Sequence, residues 1–307
     1  MAFTAKDVQT LRERTGVGMM DCKKALTETD GDMEKAIDIL REKGLAAAAK
    51  KASRIAAEGL VYAAVDDAKK VGVVVEVNSE TDFVAKNADF QAFVKAVADV
   101  IADKNPADVA ALLALPFEGG LTVADALRDK ILVIGENLSI RRFVRYEGDC
   151  VAYVHGGGRI GVLVRFEADD AASGTDILKE CGKDVAMQIA ALNAAYLDKS
   201  TVPAEALEKE KEILVAQIKN DPKNASKPEA IITKMVDGRI GKFYENNCLL
   251  QQAFVKNGDI TVEQYVAEEA KKAGGMMKVA EFVRFEKGEG LQKREDNFAD
   301  EVAGMMK

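Results

Sequence analysis

The sequence predicts an α+β protein with an N-terminal three-helix module, two duplicated α/β subdomains with antiparallel three-stranded sheets, an inserted helical hairpin and a C-terminal helix. Two observations predict this fold. Helical apolar spacing runs through the first 54 residues, and the remainder repeats one pattern of strands. The predicted boundaries are 1–54 for the module and its linker, 55–147 and 148–286 for the subdomains, about 203–245 for the hairpin within the second, and 287–307 for the C-terminal part.

Composition narrows the class of protein. The chain has 307 residues, a net charge of −8 and 48% apolar residues. No apolar run approaches the ~20 residues of a membrane-spanning helix, and no cluster of cations indicates nucleic-acid binding. The four cysteines are widely scattered, which argues against disulfides or a zinc site and favours a reducing compartment. We therefore expect a cytoplasmic protein that binds neither membrane nor nucleic acid and has no metal or cofactor of its own.

The N-terminal module is predicted from its helix boundaries. Thr4, with Asp7 three residues later, is a typical helix start, and the glycines at 16 and 18 end that helix. Apolar residues at helical spacing predict two more helices. These run from about Met19 to Glu28 and from about Asp32 to Lys43, and a helical Ala/Lys linker follows at 46–54.

The rest of the chain contains an internal duplication. Residues 61–65 match 150–154, and 71–75 match 160–164, at a single offset of 89 residues. Each copy has two β-branched runs around a polar turn, which predicts an antiparallel hairpin, and a helix follows each hairpin. A third strand is predicted in each copy, at 143–147 and 282–286.

The second copy is longer than the first, because its third strand lies about 50 residues further from its hairpin. The additional residues include two charged helical segments, 203–219 and 229–243, joined by a proline-bounded loop. Their narrow apolar stripes predict a helical hairpin that projects from the body. Such a hairpin is either simply solvated or a contact surface.

Residues 156–161 satisfy the dinucleotide-binding pattern G-x-G-x-x-G. That pattern requires a helix after the glycines, whereas a strand is predicted here. We therefore interpret the segment as a hairpin turn. His155, the only histidine, precedes this turn and is either a solvated turn residue or a contact on a binding face.

The segment 81–87 (Thr-Asp-Phe-Val-Ala-Lys-Asn) follows a predicted strand and opens a helix. Considered by spacing alone, Phe83 would lie on a core face with Phe90 and Val94, and Asp82 would cap the helix. The alternative is an exposed probe, with one carboxylate and one apolar ring held at the corner between strand and helix.

Two long motifs carry a resemblance to a known family. Residues 11–26 (LRERTGVGMMDCKKAL) and 76–87 (EVNSETDFVAKN) closely resemble two signatures of the bacterial elongation factor Ts family. The likeness continues through 155–156, 159–164, 234–239 and 285–290, in the family's order, and departs from it at 157–158 and in the loop 104–118. It covers essentially the whole chain.

The resemblance implies a nucleotide exchange factor, not an enzyme, that acts on elongation factor Tu in its GDP-bound and nucleotide-free forms. It implies that the first module resembles a ubiquitin-associated (UBA-like) domain, and that Thr81, Asp82, Phe83 and Val84 enter the GTPase near its magnesium. It also implies that the hairpin contacts another part of the partner or mediates self-association as a homodimer. Further implied partner contacts are Arg12, Met19, Met20, His155, Gly156 and Met235.

Two other functions remain open from the residues alone. The three-helix module is compatible with a non-catalytic adaptor for ubiquitin-like or helical partners. A nucleotide-dependent enzyme is the second alternative. Stimulated release of GDP from elongation factor Tu separates the first of these from an exchange factor, and a nucleotide titration of the isolated chain tests the second.

Overall fold

The computed structural model describes residues 3–223 and 227–292 and confirms the α+β class. The described chain begins with three helices. Two antiparallel three-stranded sheets follow, and further helices cover them. The predicted C-terminal helix, near residue 297, lies outside the described residues. The predicted domain boundaries stay predictions.

Three helices form the N-terminal part. Thr4 and Asp7 make the expected capping box, and Gly16 ends the first helix with φ of 68°, in the left-handed region that glycine adopts easily. Buried Leu11 and Leu26 lie in the small core between the helices. The helices are α1 (Ala5–Thr15), α2 (Met19–Glu28) and α3 (Met33–Lys51).

The third helix is longer than predicted. It begins after Asp32, whose side chain accepts from the Lys35 N–H, and it continues to Lys51. Most of the stretch predicted as a separate linker is therefore the end of α3. The reason is local, because residues 46–51 are alanine and lysine, which favour helix, and no proline interrupts them.

The first sheet has its second strand in the centre, paired antiparallel with both neighbours. Four helices lie in sequence between its second and third strands. The elements, in chain order, are β1 (Glu58–Asp66), β2 (Val71–Ser79), α4 (Asp82–Ala85), α5 (Ala88–Lys104), α6 (Val109–Leu113), α7 (Val123–Ile134) and β3 (Ser139–Glu147).

The second sheet repeats this plan in the order β4-β5-β8, with the predicted hairpin inserted before its last strand. A helix again follows the first two strands, as the duplication predicted. The elements are β4 (Asp149–His155), β5 (Ile160–Ala168), α8 (Asp176–Leu192), α9 (Ala204–Asn220), α10 (Glu229–Asn247), β6 (Ala253–Phe254), β7 (Asn257–Thr261), α11 (Val262–Ala273) and β8 (Met277–Glu286).

The two sheets pack against each other through one apolar cluster, and helices cover their outer faces. The contact uses equivalent positions of the two copies, because a glycine in each central strand meets two side chains of the other copy. These are Gly72 against Cys150 and Leu163, and Gly161 against Val61 and Val74. Each position is 89 residues from its equivalent, so the copies are related by a local twofold symmetry.

The inserted hairpin consists of α9 and α10, which pack on one another through an apolar cluster of their own. That cluster is separate from the cores of the two sheets, so the hairpin extends the body without contributing to its main cores. Its buried members are Leu214, Ile218, Ile232, Val236 and Ile240.

Candidate partner-binding site

The candidate site is the corner between β2 and α4. Every residue of β2 is buried, so the strand that leads to the corner is fixed on both faces. Thr81 is the N-cap residue of α4, which ends after one turn at Ala85. Asn87 then caps α5 by accepting from the backbone N–H groups of Asp89 and Phe90. The corner is thus a short turn between two firmly held elements.

Phe83 projects from this corner with 78% of its surface exposed, whereas Val84 beside it is buried. The spacing-based expectation of a core position is therefore wrong. It assumed one continuous helix from Phe83 to Phe90, but the chain leaves helical geometry at Asn87 and starts a new helix. Phe90 is buried on the core face, and Phe83 belongs to a different helix that points it into solvent.

Asp82 is the first residue of α4 and does not cap it, so the capping expectation is also wrong. Its Oδ2 accepts a hydrogen bond of 2.7 Å from the Lys86 Nζ. That hydrogen bond lowers the pKa of the Asp82 carboxyl below its ordinary value, so the group is ionised at neutral pH. The Lys86 Nζ also lies 5.8 Å from the centroid of the Phe83 ring. The corner therefore presents an apolar ring beside a carboxylate that a lysine holds in place.

Two glutamates, which we call the glutamate clamp, hold the backbone of the corner. Glu136 accepts from the N–H groups of Glu80 and Thr81 at 3.1 and 3.0 Å and from the Thr81 hydroxyl at 2.6 Å. Glu80 in return accepts from the Asn137 N–H at 2.6 Å. The sequence reasoning missed this clamp, because its two halves are more than 50 residues apart.

The strand below the corner is anchored by Glu76, whose side chain is fully buried. It accepts from Arg141 at 3.1 Å, Arg142 at 2.6 Å, the Asn78 amide at 3.0 Å and the Gly288 N–H at 2.8 Å. Burial alone would raise the pKa of Glu76, but the hydrogen bonds from Gly288, Asn78 and Arg142 outweigh it and lower that pKa. A glutamate inside a run of valines was the available sequence signal for such a buried ion pair.

The turn after β4 contains the glycine pattern and is a hairpin turn, as predicted. Gly156, Gly157 and Gly158 have φ between 60° and 95°, and β5 follows directly instead of a helix. His155 is the last residue of β4, and its exposed ring places Nδ1 3.0 Å from the Tyr153 hydroxyl. The turn lies in the position equivalent to the β1–β2 turn.

The structure brings this turn to the same end of the molecule as the corner. The carbonyl of Gly158 accepts from the Val61 N–H of β1 at 2.8 Å. Three residues earlier in the same strand, Glu58 is paired with Ser79 at the end of β2. His155 and Gly156 therefore lie at the end of the molecule that carries Phe83. We call this end, formed by residues 81–84, 155 and 156, the rim.

Comparison with known proteins assigns the family. The family model described as Elongation factor TS matches residues 80–289, which include the corner. An elongation factor Ts from Clostridium perfringens (strain SM101 / Type A) is 52% identical over 306 residues, covering 99% of both chains. The chain belongs to the elongation factor Ts family. Elongation factor Ts proteins from Clostridioides difficile (strain 630; 52% over 307 residues, 99% of both chains) and Clostridium botulinum (strain Eklund 17B / Type B; 51% over 304 residues, 98% of both) are similarly close.

The other residues that the elongation factor Ts likeness implied lie on other elements. Arg12 in α1 is exposed, and Met19 and Met20, at the start of α2, are 41% and 62% exposed. Met235 is half-buried against the hairpin's own cluster, and its Sδ lies 3.9 Å from the Lys227 Nζ. The structure thus gathers Thr81 to Val84 and His155–Gly156 at one end, and leaves Met235 on a separate element.

Within 3–223 and 227–292, no group of three or more His, Cys, Asp or Glu side chains is arranged to hold a metal ion. Over the same residues, no helix is both long enough and apolar enough to cross a membrane.

Proposed function

We propose that this member of the elongation factor Ts family binds elongation factor Tu, in its GDP-bound and nucleotide-free forms, and accelerates the release of GDP. The observation that carries the proposal is the exposure of Phe83, at 78%, on a corner supported by a fully buried strand. A large apolar ring held in water costs free energy and contributes no packing to the fold. A use in binding explains why such a ring is there.

The proposed mechanism acts on a magnesium ion that belongs to the partner. Magnesium bridges nucleotide phosphates to the protein in GTPases of this type, and backbone amides hold the phosphates. Phe83 inserts between the side chains that flank this metal, and the Asp82 carboxylate disturbs its water shell or its protein ligands. Thr81 and Val84 complete the inserted segment. Without the metal the phosphate charge is poorly neutralised, so GDP leaves.

The same interactions explain turnover. By thermodynamic linkage, a factor that weakens nucleotide binding is itself weakened equally by nucleotide, so GTP rebinding ejects it. A thousandfold coupling corresponds to about 4 kcal/mol. Burying one phenylalanine supplies ~1.5–3 kcal/mol. Contacts beyond Phe83 are therefore required, and the exposed Arg12, Met19 and Met20 and the turn at His155 and Gly156 are our candidates.

The proposal makes the chain a regulator of a GTPase and not an enzyme, since no covalent bond is made or broken. We assign Met235 and the hairpin to a second contact with the partner or to self-association as a homodimer. Ile213 and Ile231 on the hairpin are more than 40% exposed, which suits either use. The proposed partner places the chain in the cytoplasm, and its four free cysteines suit that reducing compartment.

The test is release of a fluorescent GDP from elongation factor Tu, followed after mixing with excess unlabelled GDP. The wild-type chain should accelerate release in a saturable way, and a magnesium chelator should accelerate release without it. If the chain binds elongation factor Tu but leaves the rate of GDP release unchanged, the adaptor function replaces this proposal. Binding of NAD, ATP or GTP by the isolated chain would instead support the alternative that the chain is a nucleotide-dependent enzyme.

A further inference from the structure

The position of Phe83 depends on its backbone and not on packing of its ring. The ring is 78% exposed, so core contacts do not fix it. The helix that carries it, α4, has four residues, too few to be stable through its own hydrogen bonds. Thr81 is the N-cap residue of α4 but makes no side-chain capping hydrogen bond, because its hydroxyl donates to Glu136. The placement of the ring must therefore come from outside α4.

The glutamate clamp supplies that placement. The Glu136 carboxylate receives two backbone N–H groups and one hydroxyl from the two residues that precede Asp82. Hydrogen bonds to an ionised acceptor are stronger than those between neutral groups. Ser79 adds a hydrogen bond of 2.8 Å from its hydroxyl to the Thr81 carbonyl. Together these fix the direction in which the chain leaves β2 and enters α4.

Glu136 also connects the corner to the N-terminal helices. It follows α7 directly, after Gly135 ends that helix with φ of 85°. On the other side of this helix end, the Lys51 Nζ of α3 donates to the Ile131 carbonyl at 3.2 Å, and Leu132 packs against the core of α1–α3. The end of α7 is therefore bound to α3 on one side and to the corner on the other.

Arg54, just after α3, reinforces this connection. Its guanidinium lies 3.4 Å from the Glu80 carboxylate, and its carbonyl accepts from the Asn137 side-chain amide at 2.8 Å. The N-terminal helices, the end of α7 and the corner thus share one hydrogen-bonded junction.

We propose that Glu136 is a positioning residue for nucleotide exchange. It holds the Phe83 corner in a fixed relation to the N-terminal helices, so that docking of those helices on the partner delivers Phe83 to its target. The inference rests on the proposed function. Glu136 acts through Phe83, so removing it should impair the step that follows docking more than docking itself.

The direct test is Glu136→Gln, which keeps the shape, removes the charge that strengthens the three hydrogen bonds and leaves one acceptor oxygen instead of two. At saturating concentrations of the chain, we expect the maximum rate of stimulated GDP release to fall about tenfold, which is within the ~100-fold that a misplacement of about 1 Å can cost. The concentration for half-maximal stimulation should change by less than about twofold. Glu263→Gln, at an exposed position of α11, is the matched control and should match wild type.

A double-mutant cycle separates positioning from a general structural effect. In a Phe83→Ala background, Glu136→Gln should cause little further loss, because the side chain it positions is already gone. An equal fold-loss in both backgrounds would contradict the proposal. The proposal would also be contradicted if Glu136→Gln reached the same maximum rate of GDP release as a wild-type chain that is active in the same assay.

Hydrogen exchange of the free chain tests the clamp without the partner. The amides of Glu80 and Thr81 should exchange faster in Glu136→Gln, while those of β2 and α5 stay protected. Unchanged exchange at these two amides would overturn the inference even if the proposed function holds. A wild-type chain that fails to stimulate GDP release would instead overturn the proposed function, and with it this use of the clamp.

Discussion

At the scale of single residues, exposed and buried aromatic side chains have separate uses. Phe83 is 78% exposed, whereas Phe90, seven residues later, is completely buried between α5 and the first sheet. Phe90 contributes to folding and Phe83 does not. The free energy of unfolding should therefore respond to these two side chains very differently.

We predict that Phe83→Ala changes the free energy of unfolding by no more than about 0.5 kcal/mol, as for other exposed sites. Phe90→Ala, the matched control, should cost about 3–5 kcal/mol through lost burial and a cavity. Urea denaturation followed by circular dichroism measures both. A loss of several kcal/mol on Phe83→Ala would show that the ring packs in solution and would undermine its role as a probe.

The corner shows what sequence reasoning captured and what it could not. Phe83 and Phe90 have helical spacing, but this spacing indicates a shared face only if the helix is continuous. Asn87 interrupts it, and a single Asn within a polar turn was too weak a signal to locate the break. The family likeness pointed to residues 81–84, whose use in binding stays a prediction, and the clamp by Glu136 has no local sequence signal because it depends on the tertiary fold.

At the scale of elements, the duplication explains how the sheets meet. The hairpins were predicted from β-branched runs that repeat at one offset, and the inserted helices from the change in that offset together with their charged helical pattern. The face-to-face packing of the sheets was not predicted. A strand that is buried on both faces has a continuous apolar sequence, so no alternation of polar and apolar residues shows which face meets the other sheet. Gly72 and Gly161, equivalent positions in the two copies, allow this close approach.

We predict that Gly161→Ala destabilises the protein by about 1–3 kcal/mol, because its new methyl group would overlap the Val61 side chain. Gly238→Ala is the control. That glycine lies inside α10 with open space around a Cβ, so alanine should stabilise by about 0.5–1 kcal/mol. Thermal unfolding of both variants checks the pair. Similar shifts in the same direction would mean that the sheets do not approach as closely as described.

At the scale of the whole molecule, Glu76 links parts of the chain that are far apart in sequence. It joins the centre of the first sheet to the segment after β8, 212 residues later. Gly288 lies so close to Ala57 that a side chain there would overlap its carbonyl. Stability of the strand that leads to Phe83 thus depends on the far end of the described chain.

We predict that this link makes stability fall in acid. The folded-state pKa of Glu76 is below its ordinary value of 4.5, so its contribution is complete above that pH and is lost as pH falls through the lowered pKa. Glu76→Gln should cost about 2–3 kcal/mol at pH 7 and flatten the acid dependence. Urea unfolding across pH 3 to 7 measures this. If the free energy of unfolding of Glu76→Gln fell equally steeply in acid, other carboxylates would be responsible for the acid dependence.

The most direct measurement of the central claim compares two exposed apolar side chains in the GDP-release assay with elongation factor Tu. Phe83→Ala should lower the maximum stimulated rate about tenfold or more, as expected from losing ~1.5–3 kcal/mol of burial at the partner's metal site. Met276→Ala, which removes a side chain of similar exposure (73%) before β8, should leave the rate unchanged. A wild-type rate for Phe83→Ala would contradict the account.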